Sequence, residues 1–297
     1  MTRVPHDNVL ATLSYVKRFA GKTVLIKLGG AALEDSSLVA SICSDLSLIR
    51  SVGIQLVLVH GGGPAINREL TARGINWEFI DGQRVTTPEM MDIIEMVLRG
   101  HVNQKIVRTL NKAGMRAVGV SGTDARTLYC KQANVKLGQV GAIERVDTTY
   151  IDTVLENATP VIAPIGVGST GKAFNINADW AAARITEALG VKKMIFLTDQ
   201  EGILDGNGNL IGELDAGELE NLIETGVVKG GMLAKVQTIL HALRHGVTDV
   251  HVLNARRPHG LIEELFTDRG VGTVCRLRSR SRGEPLPITE GMSHVSA

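Results

Sequence analysis

Aromatic side chains are scarce in this chain, at 3% of 297 residues. Proteins that hold single-stranded nucleic acid stack bases on exposed aromatic rings, so the composition argues against that class. A surplus of one charge is also missing. Lys and Arg number 32 against 31 Asp and Glu, for a net charge of +1. A polyanion binder carries a strong basic excess, and no nucleic-acid partner is expected. Cysteine is rare: Cys43, Cys130 and Cys275 match no CxxC or zinc spacing. Their apolar neighbours predict buried, reduced thiols, and no metal-ligating set stands out. No apolar run approaches the roughly 18 residues that cross a bilayer. The first residues, MTRVPHDNVLATLSYVKRF, lack the apolar stretch of a signal peptide. A cytoplasmic protein without a membrane partner is expected.

What is abundant is glycine, with 33 residues, and it recurs in one context. KTVLIKLGG (22–30) and IQLVLVHGGG (54–63) are apolar, β-branched runs that end in glycines. Each reads as a buried strand entering a tight loop. Amphipathic helices are predicted after them, over about 36–52 and 64–73. The alternation restarts later: helix 177–189, strand 193–199, helix 216–224, a helix from about 229 to 245, strand 248–255 and helix 259–266. Strands alternating with helices predict a parallel sheet covered on both faces. Between these halves, 81–87 reads as a polar loop, 88–113 as one long helix, 116–122 and 159–166 as strands, and 128–146 as a hairpin-rich excursion. GTVCRL (272–277) reads as a closing edge strand.

In open α/β folds ligands sit at the carboxyl ends of the parallel strands. Four such ends here carry glycine: Gly29-Gly30, Gly61-Gly62-Gly63, Gly122 and Gly166. Glycine lets backbone N–H groups face a ligand, and with a following helix N-terminus such groups hold phosphate or carboxylate oxygens. Neither GxxxxGK[ST] nor GxGxxG occurs, so a P-loop and a dinucleotide fold are both unsupported. Lys27 lies within an apolar strand, where a cation needs an anionic partner or a wet strand end. Lys235 follows Gly230-Gly231 at a helix start and reads alone as either a surface residue or an anion binder. In FNINAD (174–179), Asn177 or Asp179 suits a helix cap; Asp179 equally suits a role orienting two lysines. Arg84, in DGQRVT, suits a bidentate grip on a carboxylate.

Together these segments resemble the amino-acid kinase family, and within it the branch that phosphorylates N-acetyl-L-glutamate for arginine biosynthesis. The resemblance rests on IKLGG (26–30), VHGGGPAIN (59–67), DGQRVT (81–86), FNINAD (174–179), LTDQEGIL (197–204) and GGMLAKV (230–236), in that order. It implies a three-layer α/β/α sandwich with a mainly parallel central sheet and an extra N-terminal helix. It also implies that Lys27 and Lys235 bind phosphate oxygens in the transition state and that Asp179 holds them. Gly29, Gly30, Gly62 and Gly63 correspond to glycines whose N–H groups contact the transferring phosphoryl group, the latter pair on the substrate side. Arg84 and Asn175 correspond to the pair that grips the substrate's α-carboxylate. Thr198 and Asp199 fall on the nucleotide side. ATP and Mg²⁺ are the implied cofactors. The chain departs from the pattern at Ala31, Ala32 and Leu33, after the first glycine pair, and at Trp180.

The resemblance extends to the arginine-inhibited members of this family. LSYVKRF (13–19), with Tyr15, matches the helix that links their dimers into a hexamer, a trimer of dimers. His259, Glu264, Gly270 and Gly272 match their arginine site, and a guanidinium wants a carboxylate such as Glu264. A PII-type regulator is a candidate partner. The implied organisation is an N-terminal helix (1–20) and a kinase domain (21–277), with an acyl-amino-acid lobe (about 21–175) and a nucleotide lobe (about 176–277). A disordered tail (278–297) follows. Two alternatives stay open: a kinase of the same fold acting on N-acetyl-aminoadipate, and a non-catalytic arginine-sensing module.

Overall fold

The computed structural model describes residues 16, 17, 19–267 and 270–278. Tyr15, most of the N-terminal helix expected within 1–20 and the tail beyond Arg278 lie outside the described residues. The first half runs β1 (Thr23–Leu28), α1 (Ser36–Ser51), β2 (Gln55–His60), α2 (Gly63–Ala72), β3 (Phe79–Ile80) and β4 (Gln83–Arg84). Next come α3 (Pro88–Glu95), a π-helical segment (Met96–Asn103), α4 (Gln104–Lys112), β5 (Ala117–Ser121), β6 (Leu128–Gln132) and β7 (Gly141–Val146). They are followed by α5 (Thr149–Leu155), β8 (Thr159–Ala163), β9 (Ile165–Val167), β10 (Ala173–Asn175), α6 (Ala178–Ala188) and β11 (Lys193–Thr198). The chain continues through β12 (Glu213–Asp215), α7 (Ala216–Glu224), α8 (Gly230–Arg244), β13 (Asp249–Asn254), α9 (Gly260–Phe266) and β14 (Thr273–Arg276).

Alternation along the strands builds the layers. Val24, Ile26 and Leu28 of β1 join one apolar cluster with Leu56, Leu58, Ile195 and Leu197. Their neighbours Leu25, Val57, Val59, Met194 and Phe196 join a second cluster. A strand buried on both faces needs apolar residues at both parities, which is why these strands read as near-continuous apolar runs. Helices α1, α3, α4 and α9 cover the first face, and α5, α6, α7 and α8 cover the second. The expected three-layer sandwich follows directly.

The central sheet has eight strands in the order β12-β14-β13-β11-β1-β2-β8-β5. Among the described residues its pairings are parallel, except that β13 and β14 are antiparallel. Strand β14 is not the edge strand that the sequence predicts, because β12 pairs outside it. Strand β12 is three residues long, too short for an alternating pattern to show. A smaller sheet, β10-β9-β6-β7, forms the excursion expected over 128–146. Pro164 separates β8 from β9, since a ring without an N–H interrupts a ladder, and the chain passes there from one sheet to the other.

The long helix expected over 88–113 is interrupted by the π-helical segment. One wider turn rotates Asn103 inward, where its Nδ2 donates to the Val161 carbonyl at 2.8 Å. Residues 81–84 of the loop expected over 81–87 belong to the β3–β4 hairpin, in which Arg84 is buried.

Candidate active site

In the central sheet β1 lies between β2 and β11, which are reached by connections on opposite sides. Such a point of reversal leaves a crevice at the carboxyl strand ends. The glycine loops meet in it. Gly29 N donates to the Leu197 carbonyl at 2.8 Å, and Gly61 N to the Leu28 carbonyl at 2.9 Å. A Cβ on Gly29 would stand 2.7 Å from the Leu197 oxygen, and one on Gly30 would stand 3.0 Å from Gly62 N. The loops are thus as close as backbone allows. Gly63 differs, with nothing within 4 Å of its missing Cβ. Helix α2 starts there without a side-chain cap, so its first N–H groups stay available to an anion.

Lys27 shares the face of β1 that packs towards α6 and α8, and both helices send a partner. Lys27 Nζ is 2.7 Å from Asp179 Oδ1. Lys235 Nζ is 2.7 Å from Asp179 Oδ2 and lies 4.7 Å from the centre of the Phe196 ring. The three side chains retain between 9% and 15% of their exposure, so the charges are poorly screened. Asn177 caps α6, accepting from Asp179 N at 2.9 Å and Trp180 N at 3.2 Å. Asp179 is thereby free for the lysines. Burial alone would raise the Asp179 pKa, but the two ammonium groups outweigh it and hold the carboxyl well below the usual range. Burial lowers the Lys235 pKa, Asp179 opposes this, and the Lys27 charge adds to the lowering.

Arg84 forms the other charged wall. Its guanidinium lies 4.7 Å from the Phe79 ring centre and 5.7 Å from that of Trp77, and donates from Nη2 to Asn67 Oδ1. Burial lowers its pKa to about 10, which leaves it charged at neutral pH. Its Nη1 is buried with no protein partner. Such a donor is costly unless a ligand completes it. Asn175 Nδ2 donates to Thr86 Oγ1 at 3.1 Å. Lys27, Asp179, Arg84, Asn175, Gly62 and Gly63 all line one cleft of about 390 Å³, a volume suited to one small ligand.

Three residues of this site carry no role in the sequence reading. Asn67 and His60 sit inside VHGGGPAIN without a local signal of their own, and Asn103 has none either. His60 is fully buried. Its Nδ1 is 2.8 Å from the Gly61 carbonyl and its Nε2 is 3.1 Å from Asn103 Nδ2. Burial, with the Lys27 charge adding, pushes its pKa down to about 4 despite the Gly61 bond. A neutral ring donating from Nδ1 and accepting at Nε2 fits both neighbours, and it fixes the Gly61 peptide.

Thr198 is buried and donates to Asp199 Oδ1 at 3.1 Å, while Asp199 is exposed. Its charge favours the Lys235 ammonium. The residues matched to an arginine site are only partly brought together. Glu264 has a side chain that is almost wholly buried, accepts from His251 Nδ1 and from Val271 N at 2.8 Å, and faces Gly270. His259 turns to Asp45 of α1, at 2.8 Å, from a left-handed cap of α9 with φ of 55°. Gly272 packs on the Val252 carbonyl.

Residues 22–254 match the family model described as the amino acid kinase family. An acetylglutamate kinase from Nitrosococcus oceani is 43% identical over 283 residues, covering 90% of this chain and 94% of that protein. Another, from Campylobacter curvus, is 44% identical over 270 residues, covering 90% and 96%. Among solved structures, an N-acetylglutamate synthase from Neisseria gonorrhoeae, complexed with coenzyme A and N-acetyl-glutamate, superposes with a TM-score of 0.84 at 24% identity. That match covers 94% of this chain but 65% of the synthase, and at that identity it speaks to the fold alone.

Proposed function

We propose a reaction on one premise: the chain belongs to the amino acid kinase family. The protein transfers the γ-phosphoryl group of ATP to the side-chain carboxylate of N-acetyl-L-glutamate, in arginine biosynthesis. The observation that carries this reading is the buried, unpartnered Nη1 of Arg84 in the same cleft as Lys27 and Asp179. That donor suits an α-carboxylate, and the lysines suit the charge that develops during phosphoryl transfer.

A carboxylate oxygen attacks the γ-phosphorus, the bond to the β-bridging oxygen breaks, and ADP departs with that electron pair. The nucleophile is ionised at neutral pH, so no general base is required. The demand falls on the equatorial oxygens, whose charge must be met by positioned donors. Lys27 and Lys235, aligned by Asp179, and the N–H groups of Gly29, Gly30, Gly62 and Gly63 meet it. Magnesium entering with the nucleotide supplies further positive charge. Asp199, the exposed carboxylate beside Lys235, is suited to hold it, since Asp179 is committed to the lysines.

The direct test is hydroxamate formation from ATP, Mg²⁺, hydroxylamine and N-acetyl-L-glutamate. Signal supports the acyl phosphate. Signal only with N-acetyl-aminoadipate keeps the chemistry and changes the substrate. Silence with every acyl amino acid overturns the kinase reading in favour of a sensor.

Arg84→Lys keeps a charge but loses the planar fork. A lost charge-assisted contact costs about 2–3 kcal/mol. The KM for N-acetyl-L-glutamate should therefore rise by about 30–150-fold, with the KM for ATP near its parent value. Equal rises in both constants would remove Arg84 from the acyl site.

The pH dependence of kcat/KM, which reports the free enzyme, is expected to fall on the alkaline side. It should do so below the ordinary lysine value of about 10.4, because burial lowers the Lys235 pKa. Asp179, held far below the usual carboxylate range, contributes no limb near neutrality. A profile flat through pH 10 would contradict a role for protonated Lys235.

Feedback inhibition by arginine belongs to the same proposal, with Tyr15, His259, Glu264 and Gly272 as its site. So do a hexamer, a PII-type regulator and a cytoplasmic location. Among the described residues no helix is long and apolar enough to cross a membrane. Loss of hydroxamate on adding arginine, with a hexameric mass in solution, would support the regulated form; a dimer indifferent to arginine would exclude it.

A further inference from the structure

The helices that carry Asp179 and Lys235 meet again about two turns further on. There Glu187 of α6 faces His241 of α8 and His245 at the C-cap of α8. One ligand atom from each lies within 4.8 Å of the others. The histidines are four apart on a helix and so share a face, while the carboxylate comes from 54 residues earlier, which is why no sequence spacing announces the group.

The geometry points to a bound cation. His241 Nε2 and Glu187 Oε2 are 3.2 Å apart. With metal bonds of about 2.0–2.2 Å, that separation corresponds to an N–metal–O angle of about 100°, between octahedral and tetrahedral values. His245 Nδ1 lies 2.7 Å from the His241 carbonyl. Its Nδ1–H therefore donates to the backbone and leaves Nε2 with a lone pair, as metal-bound imidazoles are arranged. The two rings stack at 4.0 Å with 26° between planes, which disfavours two imidazolium charges. Trp180 holds His241 from another side, edge-on at 5.1 Å.

The charges facing the group come from both helices. On α6, Arg184 Nε is 3.1 Å from Glu187 Oε2. The contact lacks hydrogen-bond geometry, and the Arg184 charge opposes a cation. On α8, His241 Nε2 itself faces the Glu187 carboxylate. We propose that Glu187, His241 and His245 bind one borderline divalent transition ion, Zn²⁺ or a neighbour such as Co²⁺. The ion clips α6 to α8, the helices that also carry Asp179 and Lys235. Two imidazoles and one carboxylate favour such ions over Mg²⁺ or Ca²⁺. Exposed His245 leaves the remaining positions to water.

The test uses untagged, chelator-stripped full-length protein, titrated with ZnCl₂ by calorimetry beside His245→Ala and Glu187→Gln. One equivalent is expected to bind the parent with micromolar or tighter Kd, and at least about tenfold more weakly in each variant. CoCl₂ should give visible ligand-field bands in the parent that His245→Ala loses. Saturating ZnCl₂ should raise the melting temperature of the parent alone. His245 is exposed, so its variant keeps the fold, and circular dichroism checks this. Should Glu187→Gln unfold, His245→Ala decides alone. No saturable binding to the parent, or binding equal in parent and His245→Ala, overturns the proposal.

Discussion

Lys235→Met is expected to lower kcat by about 10³-fold and to leave the protein at least as stable as the parent. Both halves follow from one charge count. Two ammonium groups share one carboxylate, with contacts of 2.7 Å on each side, so the clamp carries a net +1 in a poorly hydrated place. That surplus opposes folding. It turns favourable when negative charge grows on the transferring phosphoryl group, which is the condition for lowering a barrier and not merely binding substrate. The lowered Lys235 pKa records the cost. Its folded value lies below its unfolded one, so the penalty is present in full at neutral pH and lifts only as pH rises through the folded value. Methionine keeps the packing on Phe196 and removes the charge. Hydroxamate kinetics and thermal unfolding measure the two effects. A kcat within about tenfold of the parent would separate Lys235 from the reacting phosphoryl group.

Much of this clamp was legible in the sequence because each member breaks a local rule. Lys27 interrupts an apolar strand, and FNINAD offers two candidates for one helix cap. The structure divides those candidates: Asn177 caps and Asp179 pairs. Arg84 was named from its motif, but its environment was not foreseen. A two-residue strand lies below any periodicity, and nothing local says that Trp77 and Phe79 close over a guanidinium seven and five positions on. His60 was hidden for the opposite reason. It ends an apolar strand next to conspicuous glycines, and its partner Asn103 lies 43 residues away in a helix whose π turn no residue announces. Glu187, His241 and His245 escaped in the same way, since their grouping depends on how two helices cross.

Asp179→Asn is the most damaging single change expected for stability. The amide's oxygen can accept from one lysine, but its NH₂ then turns a donor towards the other. Two ammonium groups, each with little exposure, are left without a counter-charge. Breaking a buried ion pair from one side costs about 3–5 kcal/mol, roughly a 10 °C fall in melting temperature for a chain of this size. The pH dependence has a defined sign. Asp179's folded pKa lies below its unfolded value of about 3.9, so its stabilisation is complete above that value and is lost only as pH falls through the folded one. The defect should therefore be full at pH 7 and narrow below about pH 4. Adding Lys235→Met removes one of the two unpaired charges and leaves the amide oxygen to accept from Lys27. The double variant should regain part of the lost stability, with Lys27 still lacking a counter-charge, and none of the activity, because the phosphoryl clamp is then gone. Such non-additivity is what a double-mutant cycle isolates. A double variant as unstable as Asp179→Asn alone would mean that the loss came from packing, and the electrostatic account of the clamp would fail.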